Sequence, residues 1–310
     1  MSSHTRTSRT ALTLLAASAV TLTSCRRAEE PREESRQEPI VSTEWVAERL
    51  GSDELVLIHV GPPEGYQAGH LPDARYLDLG MISTAPEDGL RLELPPIAQL
   101  EGTFEALGVS DDSRIVVYFT GNWVAPAARV FLTLDYLGLG SRTSVMAGNL
   151  AAWMGEGRPV TIELPAVTPG DFTPQPHADL ITRIDWVIEH LEDPDVAIVD
   201  ARPVEYYTGA SSRPDTRAGH IPGAQSLPFT SLLDATLKFK DREALSQAFV
   251  AAGVESGDRV VSYCFVGQAA SVAYLVARYL GYDASVYDGS FQEWSSRADL
   301  PVEAWAGVAE

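Results

Sequence analysis

Apolar residues come in short runs along this chain, separated by stretches with helical spacing. Residues 55–58, 115–118, 196–199 and 259–263 are mostly Val, Ile, Leu, Ala or Tyr, the pattern of strands buried on both faces. Between such runs, residues 181–191, 243–252 and 271–280 set apolar side chains three and four apart, which predicts helices. Alternation of strand and helix predicts an α/β fold with a mostly parallel sheet flanked by helices. In such folds ligands bind at the carboxyl ends of strands.

The pattern is written twice. Residues 104–119 align without gaps to residues 249–264, and Gly69-His-Leu-Pro-Asp-Ala74 matches Gly219-His-Ile-Pro-Gly-Ala224. Tyr136-Leu-Gly138 matches Tyr279-Leu-Gly281, and Gly148 with Trp153 matches Gly289 with Trp294. Four matches in the same order predict a duplicated domain of about 120 residues. The expected boundaries are 40–160 and 179–310, joined by a proline-rich linker at 161–178. A length of 310 residues fits about two domains.

Cys264 ends the run at 259–263 and opens a loop of small residues, after which helical spacing begins at Ser271. A thiol there faces the unpaired first-turn amides of a helix, and those N–H groups with the helix dipole favour an anion at sulfur. The equivalent position in the first copy is Phe119, so a nucleophile is expected in the second copy alone.

The other cysteine, Cys25, closes a different kind of segment. His4, Arg6 and Arg9 precede a short apolar stretch over 11–22, too short to span a bilayer comfortably, which ends Leu22-Thr-Ser-Cys25. This resembles a bacterial lipobox, which implies cleavage after residue 24 and lipidation of Cys25; the alternative is an ordinary secretory signal with an incidental cysteine. Residues 25–39 are charged and lack large apolar side chains, as a disordered tether would. The expected location is the cell envelope, on the extracytoplasmic side, with the membrane as a partner through the lipid. Cys264 is then a lone thiol, which marks it as reactive. The net charge of −20 excludes nucleic acid as a natural partner and reads most simply as a well-solvated acidic surface.

Several cysteine chemistries use a strand–loop–helix nucleophile. A phosphatase of the Cys-x5-Arg type needs a guanidinium to clamp phosphate, but the sixth residue after Cys264 is Ala270. A dithiol oxidoreductase needs Cys-x-x-Cys, and the third residue is Gly267. A papain-like protease needs a partner histidine, and two of the available histidines belong to the repeated Gly-His turn. Sulfur transfer needs no general base: a thiolate takes a sulfane sulfur and later yields it. Gly267, Ala269 and Ala270 leave room for backbone to curl around that sulfur. No cluster of metal ligands surrounds the thiol, and no cofactor is implied.

Asp200-Ala-Arg202, Gly219-His-Ile-Pro-Gly-Ala224, Tyr263-Cys264 with its six-residue loop and residues 287–294 together resemble the tandem rhodanese-domain sulfurtransferases of the thiosulfate/3-mercaptopyruvate group. The resemblance covers residues 40–305. It implies two tandem rhodanese-like domains, the first without a nucleophile, and a Cys264 persulfide that carries sulfane sulfur from thiosulfate or a related donor to cyanide or a thiol. It also implies a substrate site formed by Phe265, Val266, Gly267, Gln268, Ala269 and Ala270, with Arg202, Glu205 and Trp294 beside it. Arg202 in that family is more often a structural ion-pair residue than a clamp. Thiosulfate-using members often carry basic side chains where this chain has Phe265, Val266 and Glu205, and the Cys-Gly-Ser-Gly of mercaptopyruvate-preferring members is absent. Arg202, Arg213, Arg217, Lys238 and Lys240 are the remaining cations for an anionic donor. The missing loop cations leave a second possibility: a persulfide carrier that hands sulfur to a protein partner without turnover.

Overall fold

The computed structural model describes residues 1–2, 37–85, 90–214 and 216–304. Cys25 and most of the leader and tether lie outside the described residues. The first domain runs β1 (Ile40–Val41), α1 (Thr43–Ala47), β2 (Leu55–Val60), α2 (Pro63–Ala68), β3 (Arg75–Leu77), α3 (Ile97–Ala106), β4 (Arg114–Phe119), α4 (Ala125–Tyr136), β5 (Thr143–Met146) and α5 (Leu150–Gly155). The second runs β6 (Ile181–Thr182), α6 (Ile184–Glu189), β7 (Val196–Asp200), α7 (Val204–Tyr207), β8 (Gln225–Ser226), α8 (Arg242–Ala251), β9 (Arg259–Tyr263), α9 (Ala270–Leu280), β10 (Asp283–Tyr287) and α10 (Ser290–Ser296).

Each domain is a five-stranded parallel sheet, in the orders β1-β5-β4-β2-β3 and β6-β10-β9-β7-β8. The central strands are the apolar runs of the sequence, buried on both faces because helices cover both sides. Residues 181–191 differ from the expected helix. Ile181 and Thr182 pair with Val286 and Tyr287 as an edge strand, and the helix starts only at Ile184. Ladder pairing of β-branched side chains overrides the helical spacing there.

Both sheets belong to one compact unit, Arg36–Glu310. One hydrophobic core runs through both domains, because α4 packs against α9 across the boundary. Phe131 and Tyr274 meet there, with ring centroids 6.3 Å apart. Burying a side chain such as Phe131 or Leu275 stabilises by about 1.5–3 kcal/mol each, so the interface is an extension of the core. Two smaller cores lie on the outer faces of the sheets, centred on Trp153 and Trp294. Among the described residues no helix is long and apolar enough to cross a membrane.

Candidate active site

Strand β9 lies at the middle of the second sheet, between β10 and β7, and Cys264 is the first residue past its carboxyl end. The side chain is 1% exposed. The chain then turns through Gly267, at φ +80°, and enters α9 at Ala270. Among the described residues, the amides of Phe265, Val266, Gly267, Gln268 and Ala269 have no hydrogen-bond acceptor. Unpaired amides at the head of an 11-residue helix are groups to which an anion can bind. Ser271 Oγ donates to the Gly267 carbonyl at 2.9 Å and Ser262 Oγ to the Ala270 carbonyl at 3.0 Å. The Gly267 carbonyl is thus tied down while the loop's N–H groups are left over.

The segment after β10 brackets the loop from the other side. The Cys264 N–H donates to Ser290 Oγ at 3.2 Å. The amides of Phe291 and Gln292 donate to the carbonyls of Cys264 and Phe265, each at 3.0 Å. Ser290 itself is left-handed, at φ 52°, a conformation that costs a non-glycine residue of order 1–3 kcal/mol and persists where surroundings enforce it.

Asp200, Arg202 and Tyr263 form a buried network beneath the loop. The Arg202 guanidinium lies against both Asp200 carboxylate oxygens and donates to the Gly219 carbonyl at 2.8 Å. It also stacks over Phe291, 3.9 Å from the ring centre. Arg202 is 2% exposed and is engaged in the ion pair with Asp200, the structural role that the family resemblance favours over a substrate clamp. Burial disfavours its charge, but the Asp200 hydrogen bonds and charge outweigh that and raise its pKa above the ordinary arginine value. The expected place of Trp294 beside the substrate is corrected. It is fully buried in the outer core, and its indole N–H donates to the Pro301 carbonyl at 2.8 Å, so no substrate reaches it.

Arg213 sits at the mouth. Its guanidinium stacks 3.6 Å from the centre of the Phe265 ring, whose edge also meets Tyr206 at 4.8 Å between ring centres. With Val266, Leu92, Ser83 and Thr84 it lines a cavity of about 500 Å³ between the domains. Glu205, in the exposed first turn of α7, precedes Tyr206. The other cations are placed elsewhere. Arg217 donates to the carbonyls of Trp294, Ser295, Arg297 and Leu300, and Lys238 reaches Glu156 of the first domain at 3.2 Å. Lys240 is exposed. Arg213 is the sequence-nominated cation that borders both the loop and the cavity, a position set by a cation–π stack that no local motif announces.

His70 and His220 are turn residues. Each stacks on the tyrosine of the preceding helix, Tyr66 at 3.9 Å and Tyr207 at 3.8 Å, and each holds a backbone carbonyl through Nδ1. Among the described residues no cluster of three or more metal-ligating side chains forms.

The sequence profile of the rhodanese-like domain matches residues 42–156 and again 183–297. The chain belongs to the rhodanese family. A thiosulfate sulfurtransferase of Azotobacter vinelandii is 32% identical over 260 residues, covering 82% of this chain and 93% of that one. The sulfur carrier protein TtuD of Thermus thermophilus is 32% identical over 281 residues, covering 86% and 96%. The crystal structure of the 3-mercaptopyruvate sulfurtransferase SseA from Escherichia coli superposes with a TM-score of 0.72 at 25% identity, over 82% of this chain and 99% of that one. This chain is a tandem rhodanese-domain sulfurtransferase built of two α/β domains, with the buried free Cys264 in the second copy.

Proposed function

We propose that Cys264 takes a sulfane sulfur from thiosulfate or a related low-molecular-weight donor, holds it as a persulfide and yields it to cyanide or a thiol. With thiosulfate, the thiolate attacks the outer sulfur, the sulfur–sulfur bond of the donor breaks and sulfite leaves. The acceptor then attacks the terminal sulfur, and the thiolate is restored. The observation that carries this reading is the run of unpaired amides from Phe265 to Ala269 directly after the cysteine, which suits the terminal sulfur of a persulfide anion. Arg213 supplies the charge for an anionic donor from the mouth, in place of the loop cations that Phe265 and Val266 replace. The test is thiocyanate formation from cyanide with thiosulfate, 3-mercaptopyruvate and a thiol persulfide in turn. Activity with one or more donors that Cys264→Ser abolishes supports the reading, and activity unchanged in Cys264→Ser ends it.

A second reading has its own support. The similarity to a sulfur carrier protein, together with a loop free of basic residues, favours slow turnover and delivery to a protein acceptor. Sulfur loading without thiocyanate release distinguishes it. For location, Leu22-Thr-Ser-Cys25 supports lipid anchoring in the cell envelope on the extracytoplasmic side. In that case Cys25→Ala moves the protein from the membrane to the soluble fraction; continued membrane attachment contradicts the anchor.

A further inference from the structure

The second domain's loop is backed by a residue of the first. Arg129, on α4, faces Asp288 side-on: Nη1 donates to Oδ1 at 2.5 Å and Nη2 to Oδ2 at 3.1 Å. Nη2 also donates to the Leu92 carbonyl, and the Leu94 N–H donates to Asp288 Oδ2 at 3.2 Å. The pair is almost entirely buried, the two side chains being 1% and 6% exposed. A Cβ built on Gly267 would fall 2.7 Å from Asp288 Oδ1 and 3.2 Å from Arg129 Nη1. The ion pair is therefore the wall against which the loop's left-handed glycine rests.

The same carboxylate leads directly into the bracket described above. Two residues after Asp288 comes Ser290, which accepts the Cys264 N–H, followed by Phe291 and Gln292, which hold the carbonyls of Cys264 and Phe265. The first domain grips this bracket at a further point, since the Gln292 side chain exchanges hydrogen bonds with the Arg91 backbone at 3.0 and 3.3 Å. We propose that Arg129, in the domain that lacks the nucleophile, is a positioning residue for sulfur transfer, acting through Asp288 on the Cys264 loop. The pair is neutral as a whole, with both Arg129 Nη groups engaged and Nε buried without a partner, so it adds geometry to the site and little net pull on an anion. The proposal rests on Cys264 being the sulfur-bearing residue.

A second interdomain ion pair provides the control. Arg278 Nε meets Asp135 Oδ2 at 3.1 Å, and Tyr274 donates to the same oxygen at 2.6 Å. Arg278 lies eight residues along α9 from Ala270, about 12 Å at roughly 1.5 Å per residue. Arg129→Met, Arg129→Lys, Asp288→Asn and Arg278→Met are compared in the full chain for melting temperature, kcat, KM and hydrogen exchange of the Cys264, Phe291 and Gln292 amides, whose hydrogen bonds hold the loop. All four are expected to melt lower. The Arg129 and Asp288 variants alone are expected to lose kcat, up to roughly 100-fold, as misplacement of reacting groups does, with KM unchanged. They alone are also expected to show faster loop exchange.

Should Arg129→Met fail to fold, Arg129→Lys and Asp288→Asn carry the comparison, since lysine keeps the charge without the fork. If kcat and loop exchange in the folded Arg129 and Asp288 variants match those of Arg278→Met, the pair is a staple between domains and the proposal is overturned. If the wild-type protein itself gives no thiocyanate, sulfur turnover fails as a reading. The exchange comparison then decides only whether the Arg129–Asp288 pair holds the Cys264 loop, which is the structural half of the proposal.

Discussion

The two domains share a sheet order and a register, and comparing them separates what the fold needs from what the chemistry needs. In the second, the Ile221 N–H donates to the Tyr263 hydroxyl at 3.1 Å; in the first, the Leu71 N–H donates to the Tyr118 hydroxyl at 3.0 Å. Trp294 and Trp153 each give their indole N–H to a proline carbonyl at 2.8 Å, and each Gly-His turn stacks on a tyrosine. These features occur in both copies and are therefore structural. Three others occur once. Tyr263 lies opposite Asp200 in the ladder, where Tyr118 lies opposite His59. Arg202, two residues on from Asp200, corresponds to Gly61, and Cys264 corresponds to Phe119. The first domain lacks both the thiol and the buried carboxylate–guanidinium pair, yet has the same frame around their positions.

That contrast can be broken most severely at Cys264. Cys264→Ser is expected to take sulfur transfer to background, and adding Phe119→Cys to it is expected to restore nothing, because Gly61 leaves the first loop without the pair beneath it. A thiocyanate assay on both variants checks this.

The next effect compares two left-handed glycines. Gly267→Ala drives a methyl group into Asp288 and is expected to lower kcat by roughly 100-fold. Gly121, at φ +72° with nothing within 4 Å of its Cβ position, is expected on change to alanine to cost about 1–2 kcal/mol of stability and no activity. Urea unfolding and steady-state kinetics on both variants separate the two outcomes.

A smaller effect is expected at the mouth. Arg213→Ala should raise KM for thiosulfate about tenfold, or about 1.4 kcal/mol, with little change for a neutral acceptor. An unchanged KM would remove Arg213 from donor binding.

The smallest lies in the first domain. Burial and the neighbouring His70 charge lower the His59 pKa from 6.5 to about 4. Between those values the unfolded chain binds the proton that the folded one refuses. Stability from neutral His59 is therefore complete above pH 6.5 and falls as pH drops toward 4. Going from pH 7 to pH 5 should cost wild type about 2 kcal/mol more than His59→Gln, read from urea midpoints. Equal losses in the two proteins would mean that His59 carries a proton in the folded state.

The position of Cys264 was legible in the sequence because everything that places it is local: an apolar run, a glycine three residues later and a helix. The duplication was legible because it is written in residue identities. Arg129 and Asp288 were not, since they are 159 residues apart and meet only when the domains pack. Trp294 misled because an aromatic residue beside a site motif has the same sequence signature whether it faces the cleft or the core. For Arg202 the family resemblance already favours an ion pair, but its partners, Asp200 and the Gly219 carbonyl, are read only from the structure.

The most direct measurement is the intact mass of the purified protein after excess thiosulfate and removal of the donor. One added sulfur, located on the Cys264 peptide and removed by cyanide, is the expected result. No added sulfur, or sulfur still present on Cys264→Ser, would contradict the assignment of the chemistry to the second domain's loop.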